Sequence, residues 1–316
     1  MFPIGRRVAL TVPGSTGNVG PGYDSLGLAL GHYDELAVTV LAEGLEFELH
    51  GEGAAMVPRD ADHLVVRAMR AVFRAAGVDG PPGLRLEATN RIPHGRGMGS
   101  SAAAVVAGVL AANALLPAGH ALDDGRLLQV AAAMEGHPDN VAPSLHGGLA
   151  ISWAEAGGWR SVPVEVHEDV VPVVAIPDFE VPTRLARSLL PATVPHHDAA
   201  VNAGRTALLV EAMTRRPELL LPATEDRLHQ PYRAAAMPAS ARLVAGLRER
   251  GLPAMVSGAG PTVLVLAAGH ARAGEAERVV AQLAGAGGGS TAWRVLRLHV
   301  DGRGAKLERH PQQIQG

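Results

Sequence analysis

The sequence predicts an α+β protein built from two domains. The chain has 316 residues, enough for two modest domains. Its second half mixes segments of strand and helix periodicity, as in a two-layer α+β domain. A glycine pair followed by mixed charge at 154–168 marks a boundary. We therefore predict domains at 1–160 and 161–300, followed by a polar, frayed tail at 301–316.

Local patterns place the elements of the first half. Val8 to Val12 reads as a strand that ends at Pro13-Gly14, and residues 14–24 form a polar loop. Further strands are predicted at 35–41, 45–49, 84–88 and 149–153, the first two on either side of a turn at Glu43-Gly44. Helices are predicted at 62–76, after the glycine-rich loop 91–99, and at 124–134, where Asp123 or Asp124 is the N-cap and Gly136 the stop.

The second half is predicted in the same way. Strands are expected at 171–176, 254–257, 262–267 and 293–300. Helices are expected at 198–213, 240–250 and 271–285, with Ser240 as an N-cap and a glycine-rich turn at 286–289.

Composition excludes several classes of function. The net charge of −3 gives no reason to expect nucleic acid or an anionic membrane as a partner. The chain has no cysteine, which excludes disulfides and thiol catalysis. Its first residues are too short and polar for a signal peptide, and the apolar run 102–112 is shorter than a membrane span. We therefore expect a cytoplasmic protein.

The segment 91–113 carries the strongest local signal. Gly95, Gly97 and Gly99 run into Ser100 and Ser101 and then into an alanine- and valine-rich helix. Glycines let main-chain N–H groups approach an anion, and a helix N-terminus adds free donors and a positive dipole. The pattern predicts a phosphate site; a tight turn alone is the alternative. It matches neither a Walker loop nor a dinucleotide fingerprint.

Side chains in this segment admit more than one role. Arg96 lies inside the loop, where a cation could face phosphate oxygens. Ser100 or Ser101 could cap the helix or offer a hydroxyl to a metal ion held by the phosphates.

Other polar segments are ambiguous individually. Asn18, Tyr23 and Asp24 lie among glycines, in a loop that is either a turn or a site. Glu135 ends a predicted helix, where a carboxylate gains nothing from the dipole, so it is either a metal ligand or a solvated residue. Arg184 and Arg187 suit a carboxylate clamp or a helix surface. The remaining candidates are His137, Asp139, Asn140, Arg233 and the loop Ser257–Thr262.

Taken together, three glycine-rich segments resemble the motifs of the GHMP small-molecule kinases. They are Val12–Leu28, Pro93–Ala103 and Ser257–Thr262, in family order and spacing, so that the resemblance covers nearly the whole chain. Asn18–Asp24 and Glu135–Val141 are most similar to the branch that phosphorylates L-homoserine. The resemblance implies an N-terminal domain like the second domain of ribosomal protein S5, a ferredoxin-like C-terminal domain, and an active site between them.

The resemblance also implies a reaction and its participants. ATP would phosphorylate the side-chain hydroxyl of L-homoserine, a step toward threonine, with Mg²⁺ present and a homodimer expected. The acceptor would be held by Asn18, Asp24, Asn140, Thr183, Arg187 and Arg233, of which Asn18, Asp24, Asn140 and Arg187 would be catalytic. ATP would be bound by His63 and by Pro93, His94, Gly95, Arg96, Gly97, Met98, Gly99, Ser100, Ser101, Ala102 and Ala103. Mg²⁺ would be bound by Glu135 and a loop serine, Ser101 or Ser100.

Some positions depart from the family pattern. His63 stands where the similar kinases place asparagine near the adenine, which puts the nucleotide preference in question. The one lysine, Lys306, is far from every motif, so we expect direct attack by a well-placed hydroxyl without a dedicated strong base. The alternatives are a kinase for another alcohol, such as mevalonate, and a catalytically dead protein of this fold.

Overall fold

A computed structural model describes residues 2–286 and 291–308 and confirms the α+β class. The first sheet has seven strands in the order β11-β1-β2-β4-β3, with β5 paired to β2 and β6 paired to β5. Its strands, numbered in chain order, are β1 Arg7–Thr16, β2 Leu26–Leu41, β3 Gly44–Gly51, β4 Gly83–Asn90, β5 Leu149–Glu155, β6 Gly158–Val164 and β11 Lys306–Glu308.

Four helices pack on this sheet: α1 Leu64–Ala75, α2 Ser100–Leu115, α3 Asp124–Glu135 and α4 Val141–His146. Helix α2 is apolar on all sides, which is typical of a helix enclosed by its neighbours. Gly108 lets it approach α1 closely, since a Cβ there would lie 2.6 Å from the carbonyl oxygen of Val65. The largest cluster of buried apolar side chains therefore surrounds α2, and the phosphate loop leads directly into this fixed helix.

The second sheet contains β7 Val170–Pro177, β8 Ala254–Val256, β9 Val263–Ala268 and β10 Trp293–Arg297, all antiparallel. The strands lie side by side in the order β10-β7-β9-β8. Numbered along the chain within this sheet, they are the fourth, first, third and second strands, which is the predicted ferredoxin-like arrangement. Helices α9 Pro238–Glu249 and α10 His270–Ala286 cover it.

The remaining helices lie between β7 and α9. They are α5 Thr183–Ser188, α6 His196–Thr214, α7 Leu220–Ala223 and α8 Gln230–Arg233, with 3-10 helices at Pro217–Leu219 and Ala234–Ala236. Helix α6 contacts the first glycine-rich motif, because Asn202 and Thr206 each donate a hydrogen bond of 2.8 Å to the carbonyl oxygen of Pro21. Across the described residues, no helix is both long and apolar enough to cross a membrane.

Two predicted features of the first half were wrong. β1 continues through Pro13-Gly14 to Thr16, with a register shift at that step. β2 begins at Leu26 rather than at 35, so the predicted loop 14–24 is part strand and part a 3-10 helix, Gly20–Ser25. Pairing between β1 and β2 overrides the local turn signal, and a bulge accommodates the proline. The strands predicted on either side of the Glu43-Gly44 turn are present as parts of β2 and β3, and β4 lies between them in the sheet.

The predicted helix caps were partly right. Asp123 caps α3 by accepting a hydrogen bond of 2.8 Å from the N–H of Arg126, and Gly136 ends that helix. Gly99 precedes α2 in a left-handed conformation, so neither Ser100 nor Ser101 caps it. Ser240 lies inside α9, where its hydroxyl donates to the carbonyl oxygen of Pro261 at 2.5 Å.

The structure changes the details at the predicted domain limits. Residues 158–164, inside the predicted boundary, form β6 and complete a hairpin of the first sheet. Part of the tail predicted to fray is ordered, since Lys306–Glu308 pairs with β1 and Asp301 accepts from the N–H groups of Arg303 and Gly304. β10 ends at Arg297 instead of 300. Residues 309–316 and most of the predicted turn at 286–289 lie outside the described residues.

Candidate active site

The glycine-rich loop is held in place through its carbonyl groups. The N–H of Ser15 donates to the oxygen of Met98 at 3.1 Å, and the hydroxyl of Ser257 donates to that of Gly97 at 2.6 Å. Gly95, Gly97 and Gly99 all have positive φ, between 64° and 73°. A Cβ at Gly97 would overlap the main-chain oxygen of Ser257. The three glycine-rich motifs therefore meet here, and only glycine fits the contact.

Two cavities adjoin this loop. The larger, of about 590 Å³, lies between the loop, α1 and the end of β4, and includes His63, His94 and Ala103 in its walls. The smaller, of about 160 Å³, is lined by Asn18, Asn140, Thr183, Arg187, Glu135, Gly258 and the loop residues Pro93 and Gly95 to Ala102. Gly95, Ser100, Ser101 and Glu135 line both cavities. Most predicted site residues are thus brought to one continuous surface.

Ser101 and Glu135 form an oxygen pair at the boundary between the cavities. The hydroxyl of Ser101 donates to Oε1 of Glu135 at 2.6 Å. No cluster of three or more histidine, aspartate or glutamate side chains that could hold a metal ion occurs within 2–286 and 291–308. Mg²⁺ does not need such a cluster, because it binds through one or two protein oxygens together with water and substrate phosphates. The pair therefore fits the predicted Mg²⁺ site.

A buried carboxylate joins the first motif to the loop after α3. Asp139 is fully buried, accepts from the N–H of Asn18 at 3.1 Å, and pairs with Nδ1 of His137. Asn140 accepts from the N–H of Gly17 at 2.9 Å. Burial by itself would lower the pKa of His137. The hydrogen bond to Asp139 and the charge of that carboxylate have the larger combined effect, so the pKa is raised overall. This network fixes Asn18 and Asn140 at the wall of the small cavity.

Asn18 itself is strained and incompletely bonded. Its φ is +49°, a conformation that costs free energy in residues other than glycine. Its side-chain oxygen Oδ1 is buried and has no hydrogen-bond partner among the described residues.

An ion pair links the first motif to α5. Nη2 of Arg187 donates to Oδ1 of Asp24 at 2.8 Å, and both side chains are about one-third exposed, at 33% and 36%. Burial lowers the pKa of Arg187, but the bond to Asp24 and its charge raise it overall. Arg184 on the same helix is exposed, so the predicted clamp of Arg184 and Arg187 does not form.

Arg233 lines neither cavity but contacts Gly258, a wall residue of the small cavity. Its side chain is fully buried, and its Nη1 donates to the carbonyl oxygen of Gly258 at 3.4 Å. The guanidinium carbon lies 5.8 Å from the centre of the Tyr23 ring. Burial lowers the pKa of Arg233, and its Nε and Nη2 have no hydrogen-bond partner among the described residues.

The side chain of Arg96 does not face the phosphate side of the loop. Its Nε donates to the carbonyl oxygen of Pro177 at 3.1 Å, and its Nη1 lies 3.2 Å from Oε1 of Glu180. The expected contact between this guanidinium and phosphate is therefore not supported. Arg96 instead ties the loop to the segment after β7.

His63 has the position expected of a nucleotide contact. Its ring is buried, lines the large cavity and lies 5.2 Å from the ring of Phe47. Burial lowers its pKa, which favours the neutral ring. Sequence reasoning missed other walls of this cavity, namely Val57, Pro58 and Met134, which carry no local signal.

Comparison with known proteins identifies the family. The family model "GHMP kinases N terminal domain" matches residues 63–148, and "GHMP kinases C terminal" matches residues 199–287. The chain belongs to the GHMP kinase family. Homoserine kinase from Streptomyces coelicolor is 54% identical over 95% of this chain and 94% of its own length. The enzyme of the same name from Streptomyces avermitilis is 53% identical over 95% of each chain.

Solved structures of GHMP kinases agree with this result. Homoserine kinase from Cytophaga hutchinsonii matches with a TM-score of 0.84 at 25% identity, covering 96% of this chain and 97% of its own. A putative homoserine kinase from Listeria monocytogenes matches with a TM-score of 0.71 at 30% identity, covering 96% and 100%. The family resemblance and the two-domain fold that it implies are both confirmed.

Proposed function

We propose that the chain transfers the γ-phosphoryl group of ATP to the side-chain hydroxyl of L-homoserine, giving O-phospho-L-homoserine on the way to threonine. The observation that carries this proposal is the 54% identity to a homoserine kinase over 95% of the chain. All three motifs retain their glycines, and the loop serines and Glu135 are in place.

The large cavity suits the nucleoside of ATP. Its volume of about 590 Å³ lies within the usual range for ligand sites, and its walls are mostly apolar. From there, the phosphates would extend over the glycine loop to the N-terminus of α2, where main-chain donors and the helix dipole stabilise negative charge. His63 would contact the base.

Ser101 and Glu135 would hold Mg²⁺. The hydroxyl and the carboxylate lie 2.6 Å apart at the point where the two cavities meet. When bound, the ion would neutralise part of the phosphate charge. The carboxylate of Glu135 then needs no protein cation as a partner.

The small cavity suits a compact zwitterion such as L-homoserine. Arg187 and Arg233 would pair with the carboxylate, whereas Asp24 and Asn140 would contact the ammonium group or the hydroxyl, with Asn18 and Thr183 beside them. In the structure Asp24 and Arg187 pair with each other at 2.8 Å. A zwitterion bound between them gives each side chain a new partner of the correct charge.

Positioning accounts for the chemistry without a dedicated base. Asp139 is occupied by Asn18 and His137, and Lys306 lies on β11, where it pairs with Thr11. Phosphoryl transfer depends mainly on alignment and charge stabilisation, so a well-placed hydroxyl can attack directly. A rate loss of more than about 10⁴-fold in Asp24→Asn or Asp139→Asn would exceed the usual contribution of a general base and contradict this view.

A coupled assay of ADP release tests the proposal. With Mg-ATP, we expect turnover with L-homoserine but not with L-serine, L-threonine or mevalonate. Glu135→Gln should abolish turnover, whereas Glu165→Gln, which removes an exposed carboxylate, should not. Turnover with mevalonate instead would reassign the acceptor. ATP binding without turnover of any of them would favour a dead kinase.

A homodimer and a cytoplasmic location also remain predictions. Light scattering of the purified chain would test the first, because a dimer has twice the chain mass of 32.6 kDa.

A further inference from the structure

The strongest further observation is how Arg233 is held. This cation is fully buried, yet its side-chain hydrogen-bond partner among the described residues is a histidine rather than a carboxylate. Nη1 of Arg233 lies 3.2 Å from Nδ1 of His229, one helical turn earlier on the same short segment. The site residues assigned above do not include His229.

The hydrogen bonds of His229 determine its tautomer. Its other ring nitrogen, Nε2, lies 2.9 Å from the carbonyl oxygen of Gly20. A carbonyl oxygen only accepts hydrogen bonds, so Nε2 carries the proton. Nδ1 is then a free lone pair, and it accepts the hydrogen bond from Arg233.

The surroundings keep this ring neutral. His229 is fully buried; Asp226 lies 3.6 Å away on one side, and Tyr23 and Asp24 face it from the first motif. Burial is the largest influence and lowers the pKa of His229 despite these carboxylates. If Nδ1 also carried a proton, its N–H group would face the N–H group of Arg233, and two positive charges would be in contact.

The consequence is a fixed orientation of the guanidinium. Nη1 of Arg233 donates hydrogen bonds to Nδ1 of His229 and to the carbonyl oxygen of Gly258. The opposite edge, made of Nε and Nη2, has no partner among the described residues. That edge carries two parallel N–H groups, the geometry that binds a carboxylate in a bidentate manner.

The backbone that carries both residues is also held. Asp226 accepts hydrogen bonds from the N–H groups of Leu228, His229 and Gln230, at 3.0, 3.1 and 2.7 Å. The backbone of His229 is therefore held in place, and the hydrogen bond from its ring to Gly20 connects the start of α8 to the first motif.

We propose that His229 is a positioning residue for the acceptor: through its neutral ring it orients Arg233 so that Nε and Nη2 meet the acceptor carboxylate. This inference rests on the proposed function, because it assumes that L-homoserine is the acceptor. It adds a residue that acts on substrate affinity through Arg233 and touches no reacting atom.

The test measures steady-state kinetics of the full chain with Mg-ATP and two acceptors. One is L-homoserine, and the other is 3-aminopropan-1-ol, which has the same hydroxyl and amine but no carboxylate. His229→Phe keeps a ring of similar size and removes both hydrogen bonds. His229→Gln keeps an amide that can donate to Gly20 and accept from Arg233. His197→Phe, at an exposed position of α6, is the matched control.

We expect His229→Phe to raise the KM for L-homoserine roughly 10- to 100-fold, the usual effect of losing a hydrogen bond to a charged group. The KM for ATP and the kcat/KM for 3-aminopropan-1-ol should change less than about twofold. His229→Gln should recover most of the loss, and His229→Phe should have no further effect in an Arg233→Gln background.

Three results would overturn the inference. The first is an unchanged KM for L-homoserine in His229→Phe. The second is an equal loss of kcat/KM with both acceptors in that variant. The third is a His229→Gln variant that is as impaired as His229→Phe. If His229→Phe does not fold, His229→Leu, which also removes both hydrogen bonds, replaces it in the same comparison of the two acceptors. Absence of L-homoserine turnover in the unmodified chain would instead refute the proposed function.

Discussion

The nucleotide side and the acceptor side of the site are built from different parts of the chain. The proposed phosphate site is made of main chain, from Gly95, Gly97 and Gly99 and the start of α2. The proposed acceptor site is made of charged side chains that come from three separate segments, represented by Asp24, Arg187 and Arg233.

This difference determines how each side responds to substitution. A main-chain site is insensitive to side-chain chemistry but intolerant of any added Cβ. A side-chain site keeps its shape after a conservative change and alters what it binds. Within this fold the acceptor can therefore be changed more easily than the phosphate donor.

Among the substitutions that compare the two sides of the site, Gly97→Ala should have the largest effect. Gly97 has a φ of +73°, and a Cβ would overlap the oxygen of Ser257 and lie 2.9 Å from that of Gly260. The loop must move, and a misplaced phosphate site lowers kcat by more than about 100-fold. Gly204→Ala, in the middle of α6 with open space around it, should leave kcat unchanged and raise the melting temperature. Near-normal kcat in Gly97→Ala would refute a main-chain phosphate site.

Arg187→Gln should have a smaller and more selective effect. The change removes one proposed ligand of the acceptor carboxylate and leaves Asp24 without its partner at 2.8 Å. Because the pair is partly exposed, we expect kcat/KM for L-homoserine to fall about 30-fold. The KM for ATP should stay within about twofold of normal. Arg184→Gln, on the exposed face of α5, is the control; a similar loss there would show that α5 acts only as a scaffold.

The smallest effect concerns stability at low pH. Burial lowers the pKa of His63, whereas the unfolded chain takes up this proton near pH 6.5. The unfolded state therefore binds more protons as the pH falls below about 6.5, and the free energy of unfolding decreases. His63→Asn should flatten this decrease by at most about 1.4 kcal/mol per pH unit. Urea titrations from pH 7 to 5 would measure it; His120→Asn, at an exposed turn, should match the unmodified chain.

Local pattern predicted the elements that local forces determine. The apolar spacing of 64–75 gave α1, and Asp123 and Gly136 gave the ends of α3. The early part of β2 was missed, because it is a strand through its pairing with β1 and β5. The strands on either side of the Glu43-Gly44 turn were predicted, but the sequence carried no signal that β4 lies between them in the sheet.

In the candidate site too, local signals could be predicted and long-range contacts could not. Motif spacing predicted the glycine loop, the oxygen pair Ser101–Glu135 and most of the candidate residues that line the small cavity, because these are contiguous signals. The orientation of the Arg96 side chain could not be predicted, since it depends on Glu180 and on the carbonyl oxygen of Pro177 in the other domain. The role of His229 could not be predicted, because its partner Gly20 is 209 positions away.

The pairing of β11 with β1 makes the first sheet discontinuous along the chain. Residues 306–308 pair with Thr11 and its neighbours, but in the sequence they follow every strand of the second sheet. On the ribosome, the first domain therefore emerges early but cannot reach its full width until the second has been synthesised. A nascent chain that stops before residue 306 leaves β1 as the open edge of the first sheet, the kind of edge at which chains aggregate, although the glycine loop is already synthesised.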